Sequence, residues 1–208
     1  MKFRIISSGS KGNAILYDFV LVDCGVAYSR LPVNEIKLVL LTHIHSDHFN
    51  LKSIKKLYDN GVPIACCEWL QQPLQDVGIK PYILELNQWV SFGSVQVAPF
   101  NLYHDVPNCG YRIKIGKEKS FHATDTSTVE GISAIGYNLY AIENSYDEVS
   151  IYDVIDNKIK NNEFAYEINA IKRHLSFQQA QRFIEENAIE PYEYYKLHIS
   201  EKYEKQKN

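Results

Sequence analysis

Between residues 36 and 67 the chain passes from an apolar run, IKLVLL, through a polar stretch, THIHSDHF, into the helix-patterned NLKSIKKLYDNG, and then into a second apolar run, VPIACC. This order constrains the fold more than any other feature of the sequence. Leu51, Ile54 and Leu57 recur at helical spacing and Gly61 supplies a C-terminal stop, so a helix of about three turns is expected there. The two flanking runs read as buried strands. KFRII, AILYDF and VLVDCG precede them as further candidate strands. SSGSKGN, between the first two, reads as a tight turn, because Gly9 and Gly12 can take positive φ without steric cost.

The same interleaving continues. EWLQQPLQDVG predicts a short helical piece broken near Pro73, WVSFGSVQVAPFNLYH a hairpin, YRIKIGKEKSFHATD a second hairpin turning at Gly116, and YNLYAIEN a buried strand. The second half is more helical. SYDEVSIYDVIDNKIKNN places Val149, Tyr152, Ile155 and Ile159 on one expected buried face, and SFQQAQRFIEENA opens with Ser176 and Gln179 at capping-box spacing. YYKLHIS is a last apolar run before a polar tail, EKYEKQKN. Strands interleaved with helices throughout argue for an α/β layered fold. A length of 208 residues with no internal repeat or long linker predicts a single domain over 1–208.

A net charge of −3 offers no global field to draw in nucleic acid or an anionic membrane, although Lys52, Lys55 and Lys56, or Arg112, Lys114, Lys117 and Lys119, could follow a phosphate backbone locally. Cys24, Cys66, Cys67 and Cys109 form no CxxC pair, a usage that fits free thiols in a reducing compartment. MKFRIISSGS has no apolar stretch of signal-peptide length, and no segment approaches the roughly 20 apolar residues of a membrane span. The expected location is the cytoplasm.

Three of the seven histidines fall within six positions, directly after a buried strand. His43 and His45 are two apart, so an extended backbone projects them to the same side, where their imidazoles are good ligands for Zn²⁺ or a similar divalent ion. Asp47 and His48 follow closely enough to reach a second ion. A lone histidine would be an ordinary surface residue. This clustering points instead to metal.

THIHSDH is similar to the HxHxDH signature of the metallo-β-lactamase superfamily, and AILYDFVLVDCG resembles the strand pair that precedes that signature. The resemblance continues through LYHDVPNCGYRI, FHATDTS, KRHLSFQQAQRF and YYKLHIS, and is strongest to the small YycJ/WalJ-type and ribonuclease Z-like nuclease branch. It implies a four-layer αββα sandwich holding two divalent ions, Zn or Mn. The implied ligands are His43, His45 and His104 for one ion and Asp47, His48 and His198 for the other, with Asp125 shared. Asp47 could also orient the attacking water. His174, just before the helix that Ser176 caps, is implied to contact phosphate or to protonate the leaving oxygen, in a position that favours an anion. Asp23 is expected to accept an N–H from the histidine loop. Ser10 and Asn13, in a turn resembling SGSxGN, are candidates to line the substrate side. Two departures stand out: Arg173 occupies the usual place of a glycine and could bind phosphate, and IENSYDE replaces a more usual Glu-Ala-Asn pattern.

Two such ions about 3.5 to 4 Å apart can share a bridging hydroxide and clamp the attacking and leaving oxygens of a phosphodiester. The resemblance therefore implies a metal-dependent phosphodiesterase or nuclease acting on DNA. RNA and cyclic nucleotides are alternative substrates, and thioester or lactam hydrolysis is an alternative chemistry for the same metal pair.

Overall fold

The computed structural model describes residues 1–199; Ser200 and the polar tail read from the sequence lie outside the described residues. Among the described residues, twelve strands and five α-helices make a mixed α/β structure. In both of its six-stranded sheets the strand order follows the chain, β1 to β6 in one and β7 to β12 in the other. The chain divides into two compact units, Met1–Asn101 with Cys109–Glu118, and Leu102–Asn108 with Lys119–Asn208.

The first unit contains β1 (Phe3–Ser7), β2 (Ala14–Tyr17), β3 (Val20–Val22), β4 (Leu38–Leu41), β5 (Ile64–Cys66) and β6 (Tyr82–Ile83). β1 to β3 pair antiparallel, and β3 to β6 are parallel. Every residue of β2 to β5 is buried, which explains why these strands read as continuous apolar runs rather than alternating ones. Helix α1 (Leu51–Asp59) joins β4 to β5. Asn50 caps it by accepting from the Ser53 N–H, and Ile54 and Leu57 pack into a core with Leu16, Leu21, Val39 and Leu41. Pro73 does not break the next helix, α2 (Gln71–Gln75), because it sits in the first turn, where its missing N–H removes no helical bond. β7 (Val90–Phe92) and β8 (Val95–Leu102) form the expected hairpin, turning at Gly93 with φ +60°. β9 (Asn108–Ile115) follows.

In the second unit β10 (Glu118–Ala123), β11 (Leu139–Glu143) and β12 (Glu193–Leu197) run parallel, with Phe121 beside Tyr140 and Glu143 beside Leu197. Its helices are α3 (Glu148–Lys160), α4 (Glu167–Arg173) and α5 (Phe177–Asn187). The Ser176–Gln179 capping box forms as its spacing predicts. The expected buried face of α3 is corrected: Ile151 and Ile155 are buried with Tyr146 and Ala165, whereas Val149, Tyr152 and Ile159 are exposed. Counting i, i+3, i+6 and i+10 from Val149 selected the wrong face, because the helix packs through Ile151 and Ile155, one turn apart, against Tyr146 and Ala165. α4 carries no periodic apolar stripe, and the sequence reading did not anticipate it. Among the described residues no helix is long and apolar enough to cross a membrane, and the four cysteines are free and buried.

Candidate metal centre

The first unit contributes one loop. β4 ends at Leu41, and His43, His45, Asp47 and His48 follow within seven residues. The His43 and His48 ring centroids are 4.1 Å apart and those of His43 and His45 4.9 Å apart. Behind the loop the Tyr111 hydroxyl donates to the Leu41 carbonyl at 2.6 Å, and Trp69 Nε1 donates to the Thr42 carbonyl at 3.1 Å. These bonds fix the backbone from which the imidazoles project.

Asp23 organises the loop. It lies just past β3 with φ +60°, an uncommon backbone state for a residue with a Cβ. Its carboxylate accepts from the Thr42 N–H at 2.9 Å and from the Thr42 hydroxyl at 2.9 Å, and it meets His48 Nδ1 at 2.6 Å. A carboxylate only accepts, so this contact puts the His48 proton on Nδ1 and leaves a lone pair on Nε2. The Asn13 amide supports the same tautomer, because its Nδ2 donates towards His48 Nε2 at 2.8 Å. Asn13, a candidate for the substrate side, is buried; it accepts from the Gly9 N–H at 2.8 Å and its own N–H donates to the Asp47 carbonyl at 2.6 Å. Ser10 is exposed on the turn. Gly25 lies so close to Asp47 that a Cβ there would fall 1.7 Å from the Asp47 carbonyl oxygen.

The second unit assembles its cluster from five separate segments. His104 follows β8, Asp125 follows β10, Glu143 ends β11, His174 joins α4 to α5, and His198 follows β12. Asp125, Glu143, His174 and His198 offer donor atoms all within 4.8 Å of one another. Asp125 and His198 again have positive φ, +54° and +50°. The Asn108 amide donates to the Asp125 carbonyl at 2.7 Å and holds that turn. Asp125 Oδ1 lies 3.2 Å from His174 Nδ1 and 3.3 Å from His198 Nε2. The His174 and His198 rings stack at 5.1 Å, and the His104 and His174 rings are 5.5 Å apart.

Glu143 is fully buried and was not singled out as a site residue from the sequence. One carboxylate oxygen accepts from the Thr126 N–H at 3.0 Å and the Leu175 N–H at 3.3 Å, and the other faces His174 Nδ1 at 2.6 Å and His198 Nδ1 at 3.4 Å. The signal was present: LYAIE closes an entirely buried strand with a carboxylate, which demands partners. Burial alone would raise the Glu143 pKa, but the His174 charge and the hydrogen bonds from His174 and His198 win, and the carboxyl is held below its usual range. Burial pulls His174 down, yet Glu143 and Asp125 outweigh it and raise its pKa to about 9. For His104 burial prevails and the pKa is lowered.

In each unit, imidazoles with directed nitrogens stand beside carboxylates, a donor set that suits a divalent ion. A model of the beta-lactamase superfamily domain matches residues 19–185. The chain belongs to that superfamily. The exodeoxyribonuclease YycJ of Bacillus anthracis is 26% identical over 71% of this chain, and the match spans 64% of the relative's own length. The metallo-beta-lactamase fold protein YhfI of Bacillus subtilis has a TM-score of 0.71 at 19% identity, with 95% of this chain and 85% of that one covered. The short form of human tRNase Z has a TM-score of 0.65 at 15% identity, covering 98% and 94%. Both structures share the fold of this superfamily member, whose fold implies the use of divalent metal.

Proposed function

We propose that this superfamily member is a metal-dependent hydrolase of phosphodiesters, with DNA as its leading substrate, acting as one domain over 1–208 in the cytoplasm. The observation that carries this reading is the pair that buried Glu143 makes with the half-buried His174. Glu143 takes the Nδ1–H of His174 at 2.6 Å and favours the charged imidazole, so that Nε2 could carry a proton for a leaving oxygen. An alkoxide leaving from phosphate needs such a donor. DNA leads because the curated relative is named an exodeoxyribonuclease.

The ligands proposed are His43, His45 and His104 for one divalent ion and Asp47, His48 and His198 for a second, with Asp125 shared; Zn²⁺ and Mn²⁺ both suit the set. Bound there, the ions would supply an activated water and charge stabilisation at phosphate. Asp23 holds the His48 tautomer, Asp47 orients the water, and Arg173 together with the turn at Ser10 and Asn13 borders the phosphate. Metal-loaded protein incubated with bis(p-nitrophenyl) phosphate, single- and double-stranded DNA, RNA, cyclic nucleotides, a thioester and nitrocefin tests the proposal. Turnover of the phosphodiesters, DNA foremost, is expected. Turnover of the thioester or nitrocefin alone would overturn it.

A further inference from the structure

His104 is gripped twice by one neighbouring residue. Arg173 is the last residue of α4, so its carbonyl has no partner within the helix. His104 Nδ1 lies 3.1 Å from that carbonyl. A carbonyl cannot donate, which places the proton on Nδ1 and directs the Nε2 lone pair outward. The second grip runs through Asp105: Oδ1 lies 3.1 Å from His104 Nε2, a contact that attracts only when a proton or a metal ion sits on that nitrogen, and Oδ2 lies 3.0 Å from the Arg173 guanidinium. Arg173 thus closes a ring with Asp105 and His104, using backbone at one end and charge at the other.

We infer that Asp105 and Arg173 are positioning residues for His104: the Arg173 carbonyl fixes the tautomer, and its guanidinium holds the Asp105 carboxylate beside Nε2, where the negative charge favours a metal ion on that nitrogen. Arg173 is 47% and Asp105 30% exposed, so their attraction alone is worth little to stability. Its consequence is geometric. Without the guanidinium the carboxylate loses the contact that holds Oδ1 beside Nε2; without the carboxylate the guanidinium loses its link to the His104 turn. A glycine at position 173 could offer the carbonyl but not the second grip, which gives the arginine at this position a role separate from touching phosphate. The inference rests on His104 being a metal ligand, not on the identity of the substrate.

The test is Zn²⁺ affinity, read by competition with a chromophoric chelator, for Arg173→Ala, Arg173→Lys, Asp105→Asn, the double Asp105→Asn/Arg173→Ala, and each change again in a His104→Ala background. Melting of the metal-free variants checks that they fold. Each single change to alanine or asparagine is expected to weaken Zn²⁺ by about tenfold, as for other groups that orient ligands. The double variant is expected to be no weaker than the singles, Arg173→Lys to keep most of the affinity, and none of the changes to matter once His104 is gone. Unchanged Zn²⁺ affinity in folded Arg173→Ala, with only KM for the phosphodiester raised, would overturn the inference and leave Arg173 as a phosphate contact. If instead no phosphodiester is turned over, the proposed function fails while the Zn²⁺ measurements still decide this inference.

Discussion

The two clusters are built in opposite ways. In the first unit four candidate ligands lie within six consecutive positions after one strand, and Asp23 steers them through Thr42 and His48. In the second, five segments from His104 to His198 each deliver one group, and Glu143 joins three of those segments by accepting from Thr126, Leu175 and His174. A loop cluster needs one well-held loop. A dispersed cluster leans on a buried charge that several contributing segments satisfy together, so an error in one of them disturbs the others.

The largest expected effect therefore falls in the second unit. Glu143→Gln keeps the shape but removes the charge, and phosphodiester turnover is expected to drop at least about 100-fold as His174 loses its proton near neutrality. Losing one partner of the Glu143–His174 pair is also expected to cost about 3 kcal/mol in urea unfolding of the metal-free protein. A variant with normal turnover would erase the contrast between the units. Asp23→Asn is next: Zn²⁺ affinity by chelator competition is expected to fall about 10- to 100-fold, with the second unit's Glu143–His174 pair intact.

The pH dependence of stability isolates the second cluster further. His174 is raised to about 9 from an ordinary value of about 6.5, so its contribution is complete below the lower value and is lost as pH rises through the upper one. Glu143 is depressed, so its contribution is lost as pH falls through the acidic range. Urea unfolding of metal-free protein should show both slopes, and His174→Gln should flatten the alkaline one. The smallest effect is expected on α3. Val149→Ala should change stability by no more than about 0.5 kcal/mol, whereas the neighbouring Ile151→Ala should cost about 2 to 4 kcal/mol. Equal losses at the two positions would restore the face originally expected.

The same contrast explains what could be read from the sequence. The histidine loop was legible because its chemistry is contiguous, and the early strands because continuous apolar runs mark strands buried on both faces. The scattered residues His104, Asp125, His174 and His198 came only through a family resemblance, since nothing in spacing links positions so far apart. Glu143 escaped because a carboxylate after an apolar strand looks like a strand end until the three N–H groups that meet it are seen in space. The inward face of α3 was lost for a related reason: the packing of Ile151 and Ile155 decided which side faced inward.

Asp23, Asp125 and His198 share one further property, a left-handed backbone at a position that ends a strand. Glycine would occupy such positions with less strain, so folding alone does not favour the residues found there. That makes the three positions a natural readout of whether the chemistry is still in use. Among relatives of this chain, those that have abandoned hydrolysis should drift to glycine or asparagine at these corners before their cores change. Chains that keep two aspartates and a histidine there are expected to retain the proposed hydrolysis.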